Sequence, residues 1–334
     1  MIGQQSLLVT LVELVDRLPV PPPPKKRGPG RPRVYTDRLF LKALVVMIVR
    51  HLHTVTELLS VLAQPTPEMQ ALRVLLSERG KLPSRRTWER RLKALPETLP
   101  AQIGCLGRHL VALIRPWANC GRAVALDSTV LRARGGVWHK KDREAAKVPH
   151  TSIDTEAHWT KSGWHGWVYG WKLHLATTVA GVWIPLAARL TPANEADSCL
   201  AAKLLEELPP GEEARGEEAR FVLGDTHYNA PEVRQLCESQ GRILVASRHG
   251  PYPHTDAGVE VRRVFHELRS RAIENFNGQF KSIFDGQGQV PTKGLINTAR
   301  FALGAILVYQ LALLYQHEHE QDLRVGLKAF LKAA

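Results

Sequence analysis

RAVALDST at residues 122–129 and RFVLGDTHY at 220–228 share one pattern, a short apolar run closing on an acid that a hydroxyl residue follows. Such runs read as buried strands. An aspartate at the end of a buried strand is costly unless it binds something. Two such acids at neighbouring strand ends can hold a divalent cation between them. Taken singly, Asp127 or Asp225 is equally an ordinary turn or N-cap residue, and the pair says more than either member. Outward from this pair, GWVYGWKLHLATTVAGVWIPLAARLT (166–191) reads as two strands joined at Ala180-Gly181. Helical patterns cover 195–208, 231–240, about 260–284 and 295–316, with the strand RILVAS at 242–247. Three strands followed by alternating helices and strands predict an α/β fold with a mixed sheet. GEEARGEEAR (211–220), a tandem pentapeptide, reads as a loop extension.

The N-terminal third has another character. Residues 1–110 hold 18 Lys+Arg and 8 Asp+Glu, so they carry most of the chain's net charge of +13. Concentrated positive charge attracts polyanions by releasing their counterions, although a basic surface also serves solubility. A short amphipathic helix at 5–18 precedes PVPPPPKKRGPGRPR (19–33), an extended basic linker. Its Gly30-Arg31-Pro32 core, followed by Arg33, resembles an AT-hook, which lays arginines into a narrow minor groove; a flexible tether has the same composition. Residues 36–64 predict one or two helices opened by Thr36 or Asp37, and 66–79 a further one. SRRTWERRLKAL (84–95) places Arg85, Arg86, Arg90, Arg91 and Lys93 on a helix with an apolar side of Trp88, Leu92 and Leu95. A helix-turn-helix presents such a basic helix to the major groove, and a charged surface helix shows the same pattern.

The whole chain has 334 residues, which suggests two domains or a large one with an accessory. With 44% hydrophobic and 23% charged residues it has globular composition. No apolar run reaches the roughly 18 residues of a membrane span; the nearest, 301–315, is broken by Gly304 and Gln310. Glu13 and Asp16, without an early basic cluster, do not read as a signal peptide. Cys105, Cys120, Cys199 and Cys237 form no CxxC, which argues against a zinc site or disulfide framework. The expectation is a soluble, cytoplasmic, basic protein.

A third acid lies in FHELRSRAIENFNGQFKSIF (265–284), where Leu268, Ala272, Phe276, Phe280 and Ile283 form a helical stripe. Glu267, Arg271, Glu274 and Lys281 fall on the opposite side, a pattern that a solvated face also produces. At this point the chain resembles the DDE transposases of bacterial insertion sequences. The resemblance rests on LDST (126–129), YGWKLHL (169–175), LTPANEADS (190–198), LGDTHY (223–228) and RAIENFNGQFK (271–281), in that order, and covers about 121–315. It implies a ribonuclease-H-like core whose metal ligands and catalytic acids map to Asp127, Asp225 and Glu274. One branch of the family writes its glutamate signature Y-x2-R-x3-E-x6-K. This chain keeps Glu274 and Lys281 but has Glu267 and Ser270 where that Tyr and Arg belong, and Arg271 fits a sister branch better.

The resemblance further implies two Mg²⁺ ions, replaceable by Mn²⁺, hydrolysis of a phosphodiester at the element's end, and attack of the freed 3′-hydroxyl on target DNA. Arg271 and Lys281 would bind phosphate nearby; Arg31, Arg33, Arg85, Arg86, Arg90 and Arg91 would bind the terminal repeats. Double-stranded DNA and a homo-oligomer on it are the implied partners. The corresponding division is a helix and linker at 1–34, a helical DNA-binding domain at 35–118, the catalytic domain at 119–316 and a tail at 317–334. Two other readings keep the same core: an inactive transposase-derived DNA-binding protein, and a structure-specific nuclease. Among the six tryptophans within 138–183, Trp171 and Trp183 read as core, while Trp159 and Trp164, in a loop-like stretch, could stack unpaired bases. His227 reads as a polar loop residue, and Asn194, Glu195 and Asp197 as helix-start residues.

Overall fold

The computed structural model describes residues 6–22, 34–118, 120–163, 166–179, 181–208, 219–246, 256–282, 288–324 and 327–331. Six helices come first: α1 (Leu7–Leu14), α2 (Asp37–Val49), α3 (Val55–Leu62), α4 (Pro67–Leu75), α5 (Arg85–Ala94) and α6 (Leu99–Ala118). Local chemistry starts three of them. The side chains of Thr54, Thr66 and Ser84 accept from the backbone N–H of Glu57, Met69 and Thr87 at 3.1, 3.2 and 3.3 Å, satisfying donors the first turn leaves unpaired. The 36–64 stretch is two helices, broken where His51 adopts φ 52°. Thr36 occupies the N-cap of α2 as expected, but its hydroxyl turns to Glu78 at 2.5 Å instead of capping.

The helix-turn-helix expectation changes in detail. Nine residues, 76–84, join α4 to α5 and contain a small Glu78–Lys81 bridge. That is longer than the three or four residues of a helix-turn-helix. The tight connection lies one step earlier, across the four residues 63–66 between α3 and α4. The linker residues 23–33, with Arg31 and Arg33, lie outside the described residues.

The remainder builds the sheet and its cover: β1 (Ala123–Arg132), α7 (Lys140–Glu144), β2 (His158–Ser162), β3 (Gly166–Thr178), β4 (Pro185–Pro192), α8 (Asp197–Glu207), β5 (Phe221–Gly224), α9 (Pro231–Ser239), β6 (Ile243–Ala246), α10 (Asp256–Lys281), α11 (Leu295–Glu318) and α12 (Leu327–Leu331). Strand order is β2-β3-β1-β5-β6. β3 is long enough to pair β2 along Gly166–Gly170 and β4 along Trp171–Thr177 on the same edge. Pairings among β1, β2, β3 and β4 are antiparallel, whereas β1, β5 and β6 run parallel. This is the mixed sheet flanked by helices that the sequence predicted.

Two strand expectations need correction. β1 does not stop at Asp127 but runs on to Arg132, because β3 continues to pair with it through Gly170. The stretch around Trp159 is not a loop but β2, its register set by Trp159 opposite Tyr169.

α11 stands at the centre of the packing. Among the described residues it is the one helix long and apolar enough to cross a membrane, and it is buried almost throughout inside the fold. It packs on α6 and β4, and on α1, α2 and α5 of the N-terminal region, so helices and sheet share one core. Asp154 and Glu156 hold its start, accepting from the N–H groups of Gly294 and Leu295 at 2.8 and 2.5 Å; negative charge there also suits the helix dipole. Gln310 Nε2 donates to Ile103 O of α6 at 2.9 Å and to Pro185 O of β4 at 2.8 Å, tying three elements at one buried point. The tail folds back, with the ring of Phe330 5.4 Å from that of Tyr315.

Gly107 makes the approach of α6 to β4 possible. A Cβ there would lie 2.3 Å from Pro185 O and 3.2 Å from Gln310 Nε2. Gly107→Ala is therefore expected to lower stability by about 2–3 kcal/mol in urea denaturation, through overpacking and the loosened Gln310 bond. The exposed Arg108→Ala serves as control and should change it by less than about 0.5 kcal/mol.

Candidate active site

The parallel pairing of β1 with β5 covers three residue pairs, Ala123 with Phe221, Val124 with Val222 and Ala125 with Leu223. Asp127 and Asp225 each sit two residues beyond the last pair. Side chains alternate along a strand, so Asp127 shares a face with Ala125, which packs with Leu223, Val245, Ala272 and Ile273 under α10. β5 ends at Gly224, and Asp225 caps the short turn 226–228. Among the described residues nothing pairs the β5-side edge of β1 between Ala125 and the Arg132–Gln289 bridge, and the acids gather there.

Asp127 accepts from the Ser128 N–H at 2.8 Å, and its other oxygen stands 3.9 Å from the Arg269 guanidinium. Burial pushes its carboxyl up to about 6; the Ser128 hydrogen bond and Arg269 oppose this, while Asp225 and Asp197 add to it. Asp225 accepts from the His227 backbone N–H at 2.8 Å and lies 3.2 Å from Nδ1 of the same residue. His227 is thus an exposed loop residue, as expected, that also helps to hold Asp225. On the opposite face, covered by α8, Asp197 lies 3.2 Å from Lys172 Nζ and 3.4 Å from His174 Nδ1. His174 donates or accepts through Nε2 at Thr191 Oγ1, 2.8 Å away, and burial pulls its imidazole down to about 4, so it is neutral near pH 7.

Glu274 and Arg271 are exposed on α10, away from the sheet. Among the described residues no group of three or more His, Cys, Asp or Glu is placed to hold a metal ion. The structure thus brings Asp127 and Asp225 together but leaves Glu274 apart. Lys281 is half-buried; burial and the charge of Arg132 pull its ammonium down, and Asp127 pulls it up, so it borders the acids. Two groups escaped the sequence reading. Arg269 and Asn277 lie beside the apolar stripe of α10, four residues either side of Ile273; Arg269 stands 3.9 Å from Asp127, and Asn277 lines a narrow crevice with Asp127, Thr129, Thr177 and Phe276. The i, i+4 spacing from Ile273 was the available signal.

The N-terminal cations divide. Arg91 is committed to the fold, bonded to Asp37 and lying 4.4 Å over the Phe40 ring, which in turn meets the buried Trp88. Arg85 pairs with Glu89 at 2.8 Å. Arg86 and Arg90 are exposed. Trp159 is likewise committed, donating to Trp138 O at 2.8 Å and packing on Tyr169, while Trp164 lies outside the described residues. Among the described residues the exposed tryptophan is Trp167, at 68%, opposite Lys161 in the β2–β3 ladder.

The mixed sheet thus places two acids just past the pairing of its parallel strands β1 and β5. Residues 118–311, more than half of the chain, match the family model described as the transposase DDE domain, and the chain belongs to this family. No curated protein matches. A solved structure, the Mos1 transposase paired-end complex with left transposon end, aligns at 15% identity over 79% of this chain and 82% of that one, with a TM-score of 0.20. The family's chemistry uses divalent metals. The donor set of Asp127 and Asp225 fits such an ion, since Asp127 is a desolvated carboxylate whose protonation the neighbouring Asp225 charge favours, and a cation relieves that repulsion.

A carboxyl raised in the fold binds protons the unfolded chain has already lost, so metal-free protein loses stability as pH climbs from about 4 to about 6. Arg269, Asp225, Asp197 and Lys281 all face this group. Asp127→Asn should remove this part of the pH dependence and, above pH 6, exceed wild type by on the order of 2 kcal/mol in denaturant melts with chelator. Parallel stability–pH curves for the two proteins would refute the assignment.

Proposed function

We propose that the protein is an insertion-sequence transposase that binds its element's terminal inverted repeats through residues 1–110 and cuts and joins DNA at Asp127, Asp225 and Glu274. The observation behind this reading is the equal register of Asp127 and Asp225 beyond the β1–β5 pairing, within the family-matched segment. Two Mg²⁺ ions, or Mn²⁺ in their place, would activate the attacking oxygen and stabilise the leaving one. Asp127 and Asp225 supply oxygen ligands. Arg269, now 3.9 Å from Asp127, is freed to meet a phosphate when that carboxylate turns to a cation. Lys281 and Arg271 add positive charge along the same helix for the DNA backbone. Glu274 shares its flank of α10 with Lys281, seven residues on, and Lys281 already senses Asp127. A roll of α10 on loading DNA brings that flank, and Glu274, to the pair. Synapsis of two ends requires at least a dimer on DNA, and the working place is the cytoplasm, on the nucleoid. The exposed position of Glu274 favours one alternative, a derivative that holds DNA without cutting it.

The deciding experiment is excision from a reporter plasmid carrying the gene with its native flanking DNA. Wild type should excise, and Asp225→Asn, which keeps shape and loses charge, should fall by at least about 10³-fold, the scale of losing a transition-state electrostatic group. Binding of the flanks without excision by either protein would transfer the function to the DNA-holding derivative. Equal excision by both would displace the active site.

For DNA binding, Arg86→Ala with Arg90→Ala should weaken binding to the element ends and reduce the salt slope by about 2, with an unchanged melting temperature. Arg91→Ala should instead lower the melting temperature, because its guanidinium holds Asp37 and Phe40. A fluorescence-anisotropy salt series with parallel melts separates the two roles; unchanged binding by the double variant would remove α5 from the interface.

A further inference from the structure

Tyr228 closes the turn after Asp225 and folds back on the end of β5, where a Cβ on Gly224 would come within 2.7 Å of the Tyr228 Cβ. Gly224 thus leaves the room that seats the ring. The residue is 1% exposed, and its hydroxyl makes no well-formed hydrogen bond among the described residues, with only a weak contact to the Ser128 hydroxyl. It stands beside Ser128 and faces Asp127, Asp197 and Asp225 together. The nearby carboxylates are engaged elsewhere. Asp127 takes the Ser128 N–H at 2.8 Å and turns its other oxygen to Arg269, Asp225 is held by His227, and Asp197 is held by Lys172. Phenylalanine would fill the same space without leaving a buried donor unsatisfied. The hydroxyl is therefore a group whose acceptor comes within reach in another state of the site.

We propose that Tyr228 is a positioning residue for the acidic pair: once Asp127 turns from Arg269 to ligate a divalent cation, the Tyr228 hydroxyl donates to its other carboxylate oxygen and holds that orientation. Burial and the three carboxylates keep the phenol protonated far above its usual range, so it remains a donor. The inference rests on Asp127 and Asp225 being metal ligands. Partners that orient a ligating carboxylate are worth roughly 10–100-fold in metal affinity.

The test uses the full chain and Mn²⁺ alone, with the loss of the free-ion electron paramagnetic resonance signal as readout, on wild type, Tyr228→Phe and Asp225→Asn. Tyr228→Phe should bind Mn²⁺ about 10-fold more weakly than wild type, while its melting temperature stays within about 2 °C because the ring is kept. In excision assays it should need a correspondingly higher Mn²⁺ concentration and recover most of the rate when the ion is in excess. A Mn²⁺ titration superimposable on wild type, with Asp225→Asn impaired, overturns the role of Tyr228 alone. Loss of folding in Tyr228→Phe overturns it too, since the hydroxyl would then serve the structure. Wild type and Asp225→Asn binding alike would overturn the metal site itself, and this inference with it.

Discussion

Three residue pairs between parallel strands hold this site together. Asp127 and Asp225 are 98 residues apart in the chain, and only the Ala123–Phe221, Val124–Val222 and Ala125–Leu223 pairings bring them to a common level. The pairing is short because β5 ends at Gly224, where Asp225 turns the chain. β1 is long because β3 supports it as far as Arg132. The mismatch leaves one edge of β1, from Leu126 to the Arg132–Gln289 bridge, without a strand beside it among the described residues. Polar groups can gather at such an edge because no ladder occupies it; α10 closes one face and α8 the other.

Electrostatics at that edge remains unbalanced. Arg269 and the Ser128 N–H each favour the carboxylate of Asp127, yet burial outweighs them, and its carboxyl reaches about 6. Contrast the outer side of α10, where Arg263 pairs with Glu260 and Glu267 in full solvent. Such exposed pairs contribute little, typically under about 1 kcal/mol. The charges that matter are the few desolvated ones, because the low local dielectric magnifies both their repulsion and their attraction for a cation.

The helical part is not an appendage of the sheet. α11, from the C-terminal end of the chain, packs against α1, α2 and α5 on one side and α6 and β4 on the other. Gln310 and Gly107 make the closest of these approaches. A surface on α5 is therefore held relative to the acids through packed, buried side chains. Dense interiors are little compressible and transmit strain.

Much of this was legible in the residues themselves. The apolar runs around Asp127 and Asp225, the helix opening at Ser84, and the stripe of Ala272, Phe276 and Phe280 are local patterns, and each forms the kind of element it signals. β2 was not legible, because His158–Ser162 is polar and becomes a strand only by pairing with β3. Nor were the roles of Arg91, Arg269 and Tyr228, whose partners come from distant segments. The sequence by itself determined the kinds of element, their order and the two strand-end acids, since propensity and periodicity act between near neighbours in the chain. Tertiary structure alone decided which flank of α10 meets Asp127, which arginines face outward and where β1 loses its neighbour. Those outcomes depend on how surfaces remote in sequence share one buried volume.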